Sequence, residues 1–182
     1  MKILSDFFLT RYGIDVRLVN ESDAEFIIGL RTNSKAAQFI SFTSDDANKQ
    51  REWIASYKQR EAVGKEYYFL YSYKNIPIGV SRVYNIQHHS FTSGSWIFLR
   101  SAPPGSAIIG GIIGKEIAFE TLGLDYDIAD IRKDNKNVIR FHKMFEPQLT
   151  GEDDAYYYYK LTKENFLKNK NKIIKLCSPI NH

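Results

Sequence analysis

The stretch RKDNKNVIRFHKMF, residues 132–145, puts two asparagines ahead of a short apolar run that carries one histidine. Val138, Phe141, His142 and Phe145 recur at three- and four-residue spacing. That period predicts a helix over roughly 135–145 with His142 on its packing face, and Asn135 is placed to cap its start. Two readings of His142 stay open. It fills core, or it delivers a proton in a reaction, since an imidazolium is a competent acid near neutral pH.

A second stretch, APPGSA at 102–107, sets two prolines and a glycine before the apolar helix AIIGGIIG. Pro103 and Pro104 stiffen the turn and lack amide donors, while Gly105 lets the backbone turn or lets a ligand approach. The amides of Gly105, Ser106, Ala107 and Ile108 then head the helix without intrahelical partners. Free N–H groups and the helix dipole point the same way there, which suits a phosphate. The plainer reading is a glycine-rich core helix whose Gly110, Gly111 and Gly114, each costing about 1 kcal/mol relative to alanine, pack closely against a sheet.

Elements able to position these residues can be read around them. IDVRLV (14–19) alternates as a strand, and a helix follows over 20–31, capped by Asn20 or Ser22. A second helix spans 44–66, capped by Ser44 and released near Gly64, with Trp53, Ile54 and Tyr57 on one face. Strands are predicted at 67–73 and 76–86 with a two-residue hairpin turn between them, and at 88–100. A helix to Gly123, a strand at 126–132, the helix of His142, a strand at 155–162 and a terminal helix from 163 complete the chain. The order β-α-α-β-β-β-α-β-α-β predicts an α/β (α+β) fold, a mixed, mainly antiparallel sheet flanked by helices in one domain spanning 1–182.

The 182 residues suit one core, and 43% apolar with 14% aromatic residues is a globular composition. Cys177 alone permits no internal disulfide, no segment reads as a signal peptide, and no run approaches a membrane span, so a cytoplasmic protein is expected. The net charge of +4 is concentrated in a Lys-rich tail over 163–182. No nucleic-acid-binding motif accompanies it, and an excess of positive charge suits a polyanionic small ligand.

GSWIFLRSAPPGSAIIGGIIGKEIAFETLGL (94–124), followed by IADIRKDNKNVIRFHKMF, resembles the acyl-CoA core of the GNAT acetyltransferase superfamily. VRLVNESDAEFIIGLR resembles its first strand and helix. The family's loop reads Arg/Gln-x-x-Gly-x-Gly/Ala. Here Gly105 and Ala107 match, and Ala102 departs from the Arg/Gln. The family's second motif places an Asn before a helix bearing a Tyr and then a Gly-Phe pair. Here Asn135 matches the Asn, His142 falls at the Tyr, and Glu146 and Pro147 replace Gly-Phe.

The resemblance implies acetyl transfer from acetyl-CoA to an amine by direct attack. It implies a cofactor site at Gly105, Ser106, Ala107, Ile108, Asn135 and Phe141, with a backbone N–H from Ile97, Phe98 or Leu99 for the oxyanion. His142 would protonate the leaving thiolate, and His88, His89 or Glu66 would supply the base. Phe39, Phe42, Arg82, Tyr84 and His88 would face the acceptor, with Phe39, Phe42 and Trp53 either stacking on a ring or packing. The helix of 44–66 together with that of His142 is most similar to GNAT enzymes acting on nucleotide-linked amino sugars, including that of the pseudaminic acid pathway, which serve surface glycans. The resemblance leaves room for a homodimer. A protein N-terminus, polyamine or drug acceptor, and a silent acyl-CoA-binding module, are the alternatives.

Overall fold

The computed structural model describes residues 2–32 and 46–177. The chain begins with a hairpin, β1 (Phe8–Arg11) and β2 (Ile14–Leu18), turned by Tyr12 and Gly13, both at positive φ. A short 3₁₀ turn at Glu21–Asp23 leads into α1 (Ala24–Thr32). Asn20 caps it, accepting from Ser22 N–H, while the Asp23 side chain accepts the Asn20 amide at 2.9 Å. α2 (Ala47–Ala62) is capped by Asp46, which accepts the Asn48 amide at 2.8 Å, and the chain leaves it through Gly64 at φ 73. The Ser44 cap expected from sequence lies outside the described residues.

β3 (Tyr67–Tyr73) and β4 (Ile76–Tyr84) form the expected hairpin, with Lys74 and Asn75 at φ 50 and 63, the left-handed pair that suits the twist of two strands. β5 (Ser90–Phe98) follows antiparallel to β4. α3 (Ser106–Glu116) runs on through a π turn at Ile117–Thr121 to Gly123. Then come β6 (Tyr126–Arg132), α4 (Lys136–Lys143), β7 (Gln148–Glu152), β8 (Tyr156–Thr162) and α5 (Lys163–Cys177). Two strands, β1 and β7, were not expected from sequence. The other strands and all five helices fall where the periodicity put them.

The strands form one open mixed sheet in the order β1-β2-β3-β4-β5-β6-β8-β7. Every pairing is antiparallel except β5 with β6. Strand alternation sends Phe69 and Tyr71 to one face, where α3 and α5 bury Ile109, Ile113 and Phe166 against them. Tyr68 and Leu70 go to the other face, under α1 and α2. Burying an aliphatic or aromatic side chain of this size stabilises by roughly 1.5–3 kcal/mol, so the two clusters carry most of the fold.

The glycines of α3 serve this packing. A Cβ on Gly110 would stand 2.2 Å from the Phe98 ring, and one on Gly111 would stand 2.7 Å from the Phe141 ring. At the far end of α3, Glu116 is 1% exposed and ties three elements together. It accepts from Arg11 at 2.7 Å, Tyr12 at 2.8 Å and Lys170 at 2.8 Å, joining the N-terminal hairpin and α5 to α3.

Candidate active site

β5 and β6 are paired at only two positions, Ser90 with Tyr126 and Phe91 with Asp127. Beyond them the strands part. Each keeps its other neighbour, β5 on β4 and β6 on β8, so the sheet opens between β5 and β6. A cavity of about 770 Å³ occupies the opening. It is lined by Gly111 and Lys115 of α3 on one face of the sheet and by Arg82, which stacks on Trp53 of α2, on the other.

The opening exposes one edge of β5, and a bulge decides which amides face it. Ser93 donates its N–H toward β6, to the Asp127 carboxylate at 3.1 Å. Leu99, six residues on, donates its N–H toward β4, to Ile78 O at 2.8 Å. Residues an even number apart in a regular strand point their amides the same way, so the parity must invert between them. It inverts at Ser95, which takes φ 48 where the β4–β5 register slips by one residue. The alternation then turns the Phe98 N–H to the open edge. This corrects the sequence expectation for Ile97 and Leu99, whose amides belong to the β4 side, and leaves the Phe98 N–H as the one facing the opening.

The loop before α3 heads the helix with amides that precede its first bond. Gly105 caps the helix at φ 84 without a side-chain cap bond, and helical bonding starts with Ile109 N–H to Gly105 O. The amides of Ala107 and Ile108 precede that first bond. Ser106 differs from expectation, because its N–H donates to Pro103 O at 3.0 Å. The Gly105 position is doubly fixed: besides its φ, a Cβ there would stand 2.0 Å from the Cys177 carbonyl at the end of α5.

α4 delivers Asn135, Phe141 and His142 to the cavity. Asn135 is the N-cap, its side-chain oxygen accepting from Val138 N–H at 3.4 Å, which leaves its NH₂ as a donor for a ligand. Phe141 packs edge-on against His142 with ring centroids 5.7 Å apart. Glu146 stands where the family motif has glycine. It adopts φ 55, and Lys168 at 2.9 Å and Asn165 at 2.8 Å hold it, so the turn survives without the glycine.

His142 is 5% exposed. Burial, and then the nearby Lys115 ammonium, push its pKa down to about 3 against a weaker pull from Asp127. The ring is therefore neutral at physiological pH. The imidazolium acid expected from sequence is corrected to a neutral imidazole, whose one N–H can donate a hydrogen bond but brings no spare proton.

The residues expected as bases sit elsewhere. Glu66 is buried, and its two oxygens accept from Arg60 at 2.9 Å and from Arg82 at 2.6 Å, so it anchors Arg82 and has no oxygen to spare. His88 and His89 are exposed and stay off the cavity wall, with His89 Nδ1 2.8 Å from Asp125. Among the described lining residues the carboxylate is Asp130 on β6, which the sequence reading missed. Its place in YDIADIR carried the signal: it is an outward-facing acid on the strand that borders the opening. Arg82 and Tyr84 do line the cavity, with the Arg82 guanidinium 4.9 Å from the Tyr84 ring. Phe39 and Phe42 lie outside the described residues.

Residues 14–145 match the Acetyltransferase (GNAT) domain model. The chain belongs to the GNAT acetyltransferase family. No match was found among curated proteins. Among solved structures this GNAT chain is similar to apo FdhC, a nucleotide-linked sugar GNAT, at 36% identity over 92% of this chain and 96% of that one, with a TM-score of 0.82. It shares the fold of Mycobacterium smegmatis RimJ in complex with CoA-disulfide, at 15% identity over 93% and 91% of the two chains and a TM-score of 0.74. Campylobacter jejuni N-acetyltransferase PseH matches at 20% identity over 83% and 99%, with a TM-score of 0.61. The family uses acetyl-CoA.

Proposed function

We propose that this enzyme transfers an acetyl group from acetyl-CoA to the amino group of a nucleotide-linked amino sugar. The observation that carries the reading is the 36% identity to FdhC, a nucleotide-linked sugar GNAT, over 92% of this chain. The cavity suits it, since one continuous space of about 770 Å³ joins the α3 side to the Arg82 and Tyr84 side. An arginine stacked on aromatic rings is a receptor for a negatively charged, ring-bearing acceptor.

The residues present suit acetyl-CoA. The Ala107 and Ile108 amides meet a pyrophosphate, and the Asn135 NH₂ meets an amide of the pantetheine arm. The acceptor nitrogen attacks the thioester carbonyl, and the Phe98 N–H stabilises the oxyanion that forms. The His142 N–H stabilises the departing thiolate as a hydrogen-bond donor. Asp130, directly or through water, takes the amine's proton. The acceptor reading is paired with a homodimer, which sedimentation of the enzyme would test.

Thiol release from acetyl-CoA tests the reading across nucleoside-diphosphate amino sugars, peptides with free N-termini and polyamines. Turnover confined to the nucleotide sugars is the expected result. Turnover of peptides or polyamines alone would replace the acceptor, and CoA binding without any turnover would remove the catalytic role.

A further inference from the structure

At the vertex of the opening a buried ion pair takes the place of the next ladder bond. The Asp127 and Lys115 side chains are 0% and 1% exposed. Asp127 follows Tyr126 in the last two-pair stretch that joins β6 to β5, and its carboxylate reaches back across the gap. It accepts the Ser93 N–H at 3.1 Å and the Ser93 hydroxyl at 2.8 Å. Lys115 comes down from α3 and closes the set, donating to the same carboxylate and to Ser93 Oγ at 2.8 Å. Burial works most strongly against the charged carboxylate, but the Lys115 ammonium and the hydrogen bonds from Lys115 and Ser93 act together against it, and Asp127 is held below the usual carboxylate range.

An ion pair this deep gains little stability over apolar side chains of the same volume, because removing both charges from water costs about what their attraction returns. Its position is the informative part. The Ser93 amide points at β6 just past Phe91, where a continuing sheet would offer it a backbone carbonyl. A side-chain carboxylate stands there instead, bonded from three sides. Lys115 and Ser93 both line the cavity, with the Asp127 carboxylate bonded to each of them behind its wall. Lys115 is also on the helix whose first turn carries the Ala107 and Ile108 amides, so the vertex and the anion end share one rigid element.

We propose that Asp127, clamped by Lys115 and Ser93, is the wedge that ends the β5–β6 ladder and fixes how far the two strands part. Asp127 and Lys115 are positioning residues. They act on the thioester by setting the gap that admits it and the distance between the Phe98 amide and α4. The proposal concerns the acyl-CoA side and holds whichever amine is the acceptor, so its test needs no acceptor.

The test is the pair of substitutions Lys115→Met with Asp127→Val, which fills the same volume with apolar atoms. Acetyl-CoA binding is measured by calorimetry, thermal stability by melting, and the strand gap by crystallography. The expected result is a variant that melts at or above the wild-type temperature, pairs β5 with β6 beyond Phe91, and binds acetyl-CoA about tenfold or more weakly, since a closed gap no longer offers a preorganised space. A purely structural pair cannot give stability kept with binding lost. Wild-type affinity, or an unchanged gap, overturns the proposal. Should that variant not fold, Asp127→Glu keeps the charge and lengthens the wedge by one methylene; weakened binding in a folded protein supports the wedge, and unchanged affinity overturns it. Failure of both variants to fold assigns the pair to stability alone and also overturns it.

Discussion

The Lys115 ammonium and the His142 imidazole line the same cavity, and the cation helps hold the ring uncharged. The histidine at the position of the family's tyrosine is thereby made to resemble a tyrosine in one respect, a neutral donor on the cavity wall.

A pH-dependence of stability follows. His142 has its folded pKa pressed to about 3, below an ordinary value of 6.5, so the unfolded chain binds a proton that the folded chain refuses. The stability this contributes is fully present above pH 6.5 and is lost as pH falls from there toward the folded pKa. Between pH 6.5 and 5, above the carboxylate range, His142→Phe should flatten the dependence of the unfolding constant by about tenfold per pH unit. Urea melts across that window check it. The same variant should lower kcat by about tenfold through the lost hydrogen bond, with the shape of the pH–rate profile unchanged.

Gly105→Ala should damage binding and fold together. The added methyl would meet the Cys177 backbone at 2.0 Å at a φ of 84 that L-residues rarely adopt. We expect a loss of about 2 kcal/mol or more in stability, with acetyl-CoA affinity down by about tenfold. Thermal melts and calorimetric titration with CoA measure the two effects separately.

Much of this was legible in sequence, and what was not has a physical reason. The Lys74-Asn75 turn, the α3 loop and Asn135 are local, set by residues within a few positions. β7 was missed because its burial runs exposed-exposed-exposed-intermediate-exposed, so no apolar alternation marks it. β1 is four half-exposed residues whose only local sign is the Tyr12-Gly13 turn after them. The choice of Phe98 over Ile97 and Leu99 depends on a register slip between β4 and β5, a relation between strands that neither strand's own pattern contains. The charge state of His142 depends on Lys115, which in sequence reads as the first polar residue after an apolar helix and in the fold is 1% exposed.

Glu116→Gln should loosen the joint between α3, the N-terminal hairpin and α5. The carboxylate holds Arg11, Tyr12 and Lys170 while 1% exposed. Arg11 keeps much of its access to water, which limits the penalty to about 2 kcal/mol. Since neither Glu116 nor its partners Arg11, Tyr12 and Lys170 line the cavity, acetyl-CoA affinity per folded molecule should stay within about twofold of wild type. Denaturant melts paired with titration of the folded protein would show it.

Arg82→Met should act on the acceptor side alone. The guanidinium donates to Glu66 at 2.6 Å and lies 5.1 Å from the Trp53 ring, and methionine keeps the packing while removing the charge. The acceptor KM should rise by about tenfold or more, with the KM for acetyl-CoA nearly unchanged. Steady-state kinetics varying each substrate in turn would read the split, and an equal rise in both would place Arg82 in the common framework of the cavity.

The contact between Gly105 and the Cys177 carbonyl also bears on the order of assembly. The loop before α3 is moulded on one side by the end of the last described helix, far along the chain. Contacts of such sequence separation come late, after the entropy of closing the intervening chain has been met. A nascent chain can therefore complete its sheet before the Gly105 loop takes its final shape, which it reaches when α5 docks.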